Sequence, residues 1–278
     1  MEKVRDFDFT DRDFEKVRNL VKSHTGISLS DAKKDMVYSR LSRRLRSLGI
    51  ERFTDYCSLV EGGDDAELVK FTNAITTNLT AFFREDHHFQ YLAKTLVPAL
   101  MKSNQQDRRI RIWSAGCSTG EEPYSLAIAM KEAIPSSETW DVKILATDLD
   151  SDVLSSASNG VYSSDRINGL SSQRKKRWFL NGKGDNAGTV RVRPELQEII
   201  TFKQLNLLRE WPTKGPFDFI FCRNVVIYFD KETQKVLFDR YANVLKNDAH
   251  LFIGHSESLF KVSDRFKLLG QTIYRKTK

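Results

Sequence analysis

Cysteine is scarce in this chain: three residues in 278, Cys57, Cys117 and Cys222, lie far apart with no Cys-x-x-Cys spacing. That pattern argues against a zinc ribbon or a disulfide framework and fits a reducing compartment. Long apolar runs are missing as well. None approaches the ~20 residues that a bilayer crossing requires, so no direct membrane insertion is expected. The opening "MEKVRDFDFTDRDFEKV" carries charges where a secretory signal would have an apolar core. The reading is a cytoplasmic protein. There are no internal repeats or low-complexity tails, and the six prolines never form a Pro-Pro pair. What is present is a soluble composition, 40% hydrophobic with a formal charge of +7. The length suits one large domain or two modest ones. Such a charge suits nucleic acid, an acidic protein surface or plain solubility, so its place along the chain matters more than its size.

Residues 1–76 read as short amphipathic helices without a strand pattern. "TDRDFEKVRNLVKSH" sets Phe14, Val17, Leu20 and Val21 on one face, with Thr10 or Asp11 as cap and Gly26 as terminator. "SDAKKDMVYSRLSRRLRSLG" aligns Val37, Leu41, Leu45 and Leu48, and its other faces carry Lys33, Lys34, Arg40, Arg43, Arg44 and Arg46. Two more helices are expected around the Gly62-Gly63 turn. After Arg108 the rhythm changes. "RIRIWSAG", "DVKILATD", "FDFIFC" and "HLFIGH" have strand composition and alternate with helical segments, the pattern of a parallel α/β sheet. "FKLLGQTIYRK" reads as a strand pair at the sheet edge, and "KNDAH" as a turn before the preceding strand. Residues 172–203 break the alternation and suggest a small antiparallel insert around a Gly-rich turn. The expected architecture is a Rossmann-like α/β domain over 77–278 with that insert, preceded by an all-α domain.

"WSAGCSTGEEPYS" is the strongest chemical signal. A strand enters, Gly116 and Gly120 permit tight turns, and a helix begins near Glu121, which brings a ligand close to main chain and helix N-terminus. The spacing is G-x-x-x-G, not G-x-G-x-x-G, and two acids follow where a pyrophosphate would be repelled. Glu121 and Glu122 suit a ligand with positive charge or hydroxyl donors. One of them also suits the helix dipole. Asp148, at the end of "ATDLD", stands where an acid accepts from ribose hydroxyls, and Asp150 suits a helix cap. At this level NAD and S-adenosylmethionine both remain candidates.

"TNLTAFFRE", "WSAGCSTGEEPYS", "ATDLD", "NLL", "FDFIFCRNVVIYFD" and "GHSES", in this order, resemble the chemotaxis receptor glutamate methyltransferases, the CheR family. The resemblance covers nearly the whole chain. It implies an S-adenosylmethionine methyltransferase that esterifies glutamates on the cytoplasmic helices of chemoreceptors and releases S-adenosylhomocysteine. It places Asn78, Thr80, Arg84 and Glu122 at the cofactor and Asp148 on its ribose. Asn206 and Leu207 would lie near the adenine, and Arg223 and Asn224 would line the pocket. Arg84 and Tyr228 would lie nearest the substrate glutamate. It also implies action at membrane receptor arrays. The basic helix would dock on receptor helices, and the insert, with Gly182 and Gly184, would tether a receptor C-terminal peptide.

Many amine methyltransferases carry an Asn/Asp-Pro-Pro-aromatic motif after the fourth strand. Here "RNVVIYF" stands there, so no nucleic-acid partner is expected. A methyltransferase for RNA or a small acid, and a non-catalytic cofactor-binding scaffold, are the alternatives. In "TTNLTAFFREDHHF" the adjacent His87 and His88 would point ~100° apart on a helix and lack the His-x-x-x-His spacing, so no metal is expected. Phe82, Phe89, Leu92 and Leu96 would seat that helix, with Arg84 one turn inside it and Thr80 also serving as its cap.

Overall fold

The computed structural model describes residues 6–278. Four helices form the N-terminal bundle: α1 (Asp11–Thr25), α2 (Lys34–Leu48), α3 (Phe53–Glu61) and α4 (Asp65–Ile75). Thr10 begins α1 through a reciprocal capping box with Asp13. Phe14, Val17, Val37, Leu41, Leu45, Tyr56 and Phe71 fill the bundle core. Leu48, expected on the same stripe, is 41% exposed, because α2 ends there beyond the reach of its neighbours. Gly26 ends α1 at φ +75°, and a Cβ there would lie 1.7 Å from Leu208 Cδ1. Only a glycine lets the bundle seat so closely on the rest of the chain.

A helix with a π turn then crosses to the second domain: α5 (Asp86–Tyr91), the π turn Leu92–Leu96 and α6 (Val97–Ser103). Pro98, which has no amide hydrogen to give the preceding turn, stands two residues after the end of the π segment. Phe89, Leu92 and Leu96 are buried in the α/β core from this helix, as their spacing predicts; Phe82 is buried there too, but from the turn before the helix.

The α/β domain runs β1 (Arg109–Ala115), α7 (Glu121–Ala133), β2 (Asp141–Asp148), α8 (Ser151–Asn159), β3 (Val161–Ser163), α9 (Ser172–Trp178), β4 (Phe179–Asn181), β5 (Thr189–Val192), α10 (Pro194–Gln197), β6 (Ile200–Gln204), β7 (Phe217–Cys222), α11 (Lys231–Val244), β8 (Leu245–Ile253), β9 (Phe266–Gly270) and β10 (Ile273–Lys276). Seven strands form one sheet in the order β6-β2-β1-β7-β8-β10-β9. β6 through β8 pair in parallel and the last two strands antiparallel. The strand order reverses between β1 and β7, so their carboxyl ends diverge into loops that leave a crevice.

Two expectations are corrected. The small antiparallel sheet, β3-β5-β4, begins at Val161, and β6 pairs with β2 in the large sheet. The insert therefore starts before 172 and ends before 203: a strand buried on the large sheet and one on the small sheet look alike in composition. Residues 246–250 are not a turn. Phe217 pairs with Leu245 and Phe219 with His250, so the extra residues form a bulge within β8, with Asp248 at φ +58°. Among the described residues no helix is long and apolar enough to cross a membrane.

Candidate active site

A cavity of about 410 Å³ opens where the carboxyl ends of β1, β2 and β7 meet the helical bundle. All the residues expected to contact a cofactor line it, and so does Tyr228. Thr25, Ile27–Ser30, Lys33 and Met36 from the bundle complete the enclosure. Lys33 alone of the expected docking residues lies there.

The loop after β1 forms the first wall. Gly116 and Cys117 donate their amides to the Thr147 carbonyl, which ties the loop to β2. Gly116 has φ +88°, and a Cβ there would stand 2.3 Å from Val225 Cγ2. Asp148 accepts from the Ser118 amide (2.7 Å) and the Asp150 amide (3.0 Å). Burial raises its pKa above the ordinary carboxylate value. Ser118 also donates its hydroxyl to the Asn78 carbonyl (2.9 Å). Asp150 does cap α8, through Oδ1, and its other oxygen takes Thr76 Oγ1 and Asn78 Nδ2, both at 2.7 Å. A helix cap thus also fastens the linker between the domains.

The two glutamates are not bare. Glu121 is fully buried and paired with Arg166, which also donates to the Thr80 carbonyl. Glu122 pairs with the buried Arg223 at 2.7 Å and accepts from Ser114 Oγ at 2.7 Å. Only Glu122 reaches the cavity. A bound cation is therefore not what neutralises these acids.

The turn after β7 forms the second wall. Arg223 reaches from Glu122 to the Arg84 carbonyl and lies 3.4 Å from His88 Nδ1. Asn224 adopts φ +60°, and Tyr228 ends a 3-10 turn, Val226–Tyr228. The Tyr228 carbonyl accepts from the Ser28 amide of the bundle at 2.8 Å. Glu257, from the "GHSES" segment, accepts from the amides of Asn224, Ile227 and Gly254. Nothing in the spacing of the segment points to this role for Glu257. The side chain of Asn206 is held at both ends: Nδ2 donates to the His24 carbonyl and Oδ1 accepts from the Leu208 amide, both at 2.9 Å. Leu207 is buried in the core beneath the cavity.

Arg84 is not inside a helix. It sits in a turn between Phe83 (φ +52°) and Glu85 (φ +56°), and α5 begins only at Asp86, so Thr80 caps nothing. One guanidinium nitrogen donates to the Leu79 carbonyl at 2.9 Å. The adjacent histidines converge where divergence was expected. Their rings lie 4.2 Å apart, both Nε2 atoms approach the Gln271 carbonyl, and with Glu85 they offer ligand atoms within 4.8 Å of one another. The Arg223 guanidinium beside His88 Nδ1 puts a fixed positive charge next to that cluster. Burial, then Arg223, holds His88 down to about 4.

The basic helix divides. Arg40 points inward and caps α4 on the carbonyls of Ala74, Ile75 and Thr76 (3.3, 3.0 and 2.6 Å). Arg44 is bidentate on the buried Glu67, which also takes the Tyr56 hydroxyl. Lys34 pairs with Asp11 and Arg46 with Asp6. Lys33, Arg43 and Arg46 are exposed. In the small sheet, Gly182 has no room for a side chain, since a Cβ would meet the Asn186 carbonyl at 2.0 Å, whereas Gly184 (φ +57°) faces open space. Turn geometry alone accounts for both.

The lining fits S-adenosylmethionine. Asp148 offers an acceptor for hydroxyls, Leu149, Leu207 and Val225 offer apolar surface for a base, Arg84 offers a donor for a carboxylate, and Gly116 leaves backbone where a side chain would intrude. Residues 78–275 match the model of the CheR methyltransferase SAM-binding domain, and residues 12–76 match the all-alpha domain of the same family. The chain belongs to the CheR methyltransferase family. It is 46% identical over 271 residues to chemotaxis protein methyltransferase 2 of Pseudomonas aeruginosa, covering 97% of this chain and 95% of that one. The chemotaxis protein methyltransferases of Salmonella typhimurium and Escherichia coli are 44% and 43% identical over 272 residues, covering 97% of this chain and 91% and 92% of theirs. The cofactor of this CheR domain is S-adenosylmethionine, and the protein is a methyltransferase.

Proposed function

We propose that the protein methylates glutamate side chains of chemoreceptors to methyl esters, in the cytoplasm at receptor arrays. The observation that carries this reading is that Arg84 and Tyr228 line the same cavity as Asp148 and Gly116. A carboxylate-binding cation and a phenol thus share one enclosure with the cofactor-type wall. Bound S-adenosylmethionine supplies a methyl group on a positively charged sulfur. A glutamate carboxylate, with a reference pKa of about 4.3, is already ionised at neutral pH, so the protein has no proton to remove. The cofactor would supply that methyl as an electrophile, with its sulfur as the leaving group that keeps the bonding electron pair and a glutamate oxygen as the acceptor. The protein's part is to desolvate and aim the carboxylate. Arg84, with one nitrogen occupied by Leu79, keeps other N–H groups for one carboxylate oxygen. Tyr228 adds a directed hydroxyl. A grip of this kind orients the nucleophile and neutralises it only in part.

Receptor-containing membranes and methyl-labelled cofactor test the reading. Label is expected on receptor glutamates as a base-labile ester. Base-stable label, or none, would sink it. Docking falls to the exposed cations Lys33, Arg43 and Arg46, whose charge complements an acidic helix. Arg43→Glu with Arg46→Glu, leaving Arg44 in place, is expected to raise the KM for receptor about tenfold while cofactor affinity holds. A parallel loss of cofactor affinity would make that face structural. The exposed Val161 and Leu180 on the outer strands of the small sheet support tethering of a receptor tail peptide by strand addition. Titration with tail peptides, if it gave no binding, would remove the tether and leave the enzyme reading intact.

A further inference from the structure

Glu257 is 6% exposed, and among the described residues no cationic side chain lies within ion-pairing distance of it. Its carboxylate is spent on main-chain amides: Asn224 at 2.9 Å and Gly254 at 2.6 Å on one oxygen, Ile227 at 3.2 Å on the other. Burying an acid costs free energy unless its oxygens are well bonded, so a carboxylate held this way fixes the backbone that bonds it. The backbone in question is the turn that carries Asn224 and Tyr228 into the cavity. Asn224 is left-handed there (φ +60°), a conformation that asparagine adopts more readily than other non-glycine residues, and the Glu257 bond to its amide holds it in place. Gly254 packs against the same residue: a Cβ at Gly254 would lie 2.6 Å from Asn224 Nδ2 and 2.9 Å from its amide nitrogen. Glu257 itself does not line the cavity.

We infer that Glu257 is a positioning residue for methyl transfer, the anchor that sets the 224–228 turn and so the reach of the Tyr228 hydroxyl toward the acceptor carboxylate. The inference rests on the methyl-transfer reading proposed above. Two of the three amides it holds belong to that turn, which Arg223 and Ser28 also brace at its ends. Of the residues expected at the cofactor only Asn224 lies in this turn, and the others stand outside it, so loosening the middle changes aim more than it changes the cofactor wall.

The test is Glu257→Gln in the full-length protein. The amide has one acceptor oxygen where the carboxylate has two, and it presents an NH2 to a backbone N–H. The kcat for receptor methylation is expected to fall at least tenfold, with cofactor affinity by calorimetry within threefold of wild type. Glu257→Asp, which keeps the charge and shortens the reach, is expected to recover part of the loss. In protein labelled with fluorotyrosine, the 19F resonance assigned through Tyr228→Phe is expected to shift in Glu257→Gln. Gly254→Ala, which presses on Asn224 from outside, supplies the same readouts if Glu257→Gln does not fold. Full kcat with an unmoved Tyr228 resonance overturns the inference, and so does loss of cofactor affinity in proportion to kcat. A wild-type protein that esterifies no receptor glutamate sinks the function instead, and the resonance still reports whether Glu257 sets the turn.

Discussion

The two walls of the cavity follow adjacent strands, β1 and β7, yet they are held in different ways. The first wall is local. Its amides bond to Thr147 and Asp148 at the end of the neighbouring β2, and Glu122 bonds back to Ser114 of β1. The second is assembled from separate parts of the chain: Arg84 before α5, Glu122 on α7, Ser28 in the bundle and Glu257 beyond β8. A wall made by its own strand neighbours can hold a cofactor whatever the rest of the chain does. A wall braced by four segments brings the bundle, the linker and the sheet to one geometry, which suits the aiming of a second substrate.

The largest expected effect comes where the walls touch. Gly116→Val places a β-branched side chain at φ +88° with its Cβ 2.3 Å from Val225 Cγ2. A left-handed non-glycine conformation costs about 1–2 kcal/mol, and the clash adds to it. Cofactor affinity measured by calorimetry is expected to fall at least 100-fold. A value within threefold of wild type would mean that the loop does not border the cofactor.

Asp148→Asn is the next test, confined to the first wall. It preserves shape but turns an NH2 toward one of the two amides that Asp148 now accepts. Hydrogen bonds to a charged group contribute about 1.5–3 kcal/mol, so affinity is expected to drop roughly 10- to 100-fold, with turnover at saturating cofactor changed much less. Unchanged affinity would end the ribose assignment. If turnover fell and affinity held, the division of labour between the walls would be reversed.

The same contrast separates what could be read from the sequence and what could not. "WSAGCSTGEE" is legible because its glycines, its helix start and its bonding partners lie within one β-turn-α unit. The bundle, the alternation of strands and helices and the residues gathered in the cavity follow from periodicity and from family resemblance. The second wall is illegible locally, since Glu257 stands 33 residues from the amide of Asn224 that it holds. Arg84 was expected inside a helix. The bond from the Phe83 amide to Ser125 Oγ and the grip of Arg223 on the Arg84 carbonyl impose a left-handed turn that propensity does not encode. Arg40 and Arg44 looked like docking cations because a run of charge usually marks a solvated face. Each sits one residue before a buried leucine, Leu41 or Leu45, and that spacing places both at the border of the apolar stripe, facing α4.

The smallest expected effect bears on the second wall through pH. His88 lies behind it, fully buried, with Nδ1 3.4 Å from the Arg223 guanidinium and Nε2 at the Gln271 carbonyl. Burial and that guanidinium hold its pKa at about 4, against about 6.5 in the unfolded chain. The folded protein therefore keeps the imidazole neutral while the unfolded chain takes up a proton, and stability falls as pH drops from about 6.5 toward 4. Each pH unit in that window is worth about 1.4 kcal/mol for one such group, so the loss is about 1.4 kcal/mol at pH 5.5. His250, held at about 4 chiefly by burial, acts in the same direction. Asp148 and Glu257 act oppositely: burial raises their pKa, so the fold binds their protons more tightly and regains some stability at the acid end of the range. Urea midpoints at pH 7.5, 6.5 and 5.5 are expected to fall slightly over the first interval and more steeply over the second, and His88→Gln should reduce that fall. A flat profile down to pH 5.5 would show that His88 accepts its proton within the fold, and that the Arg223 side of the second wall yields more readily than its contacts imply.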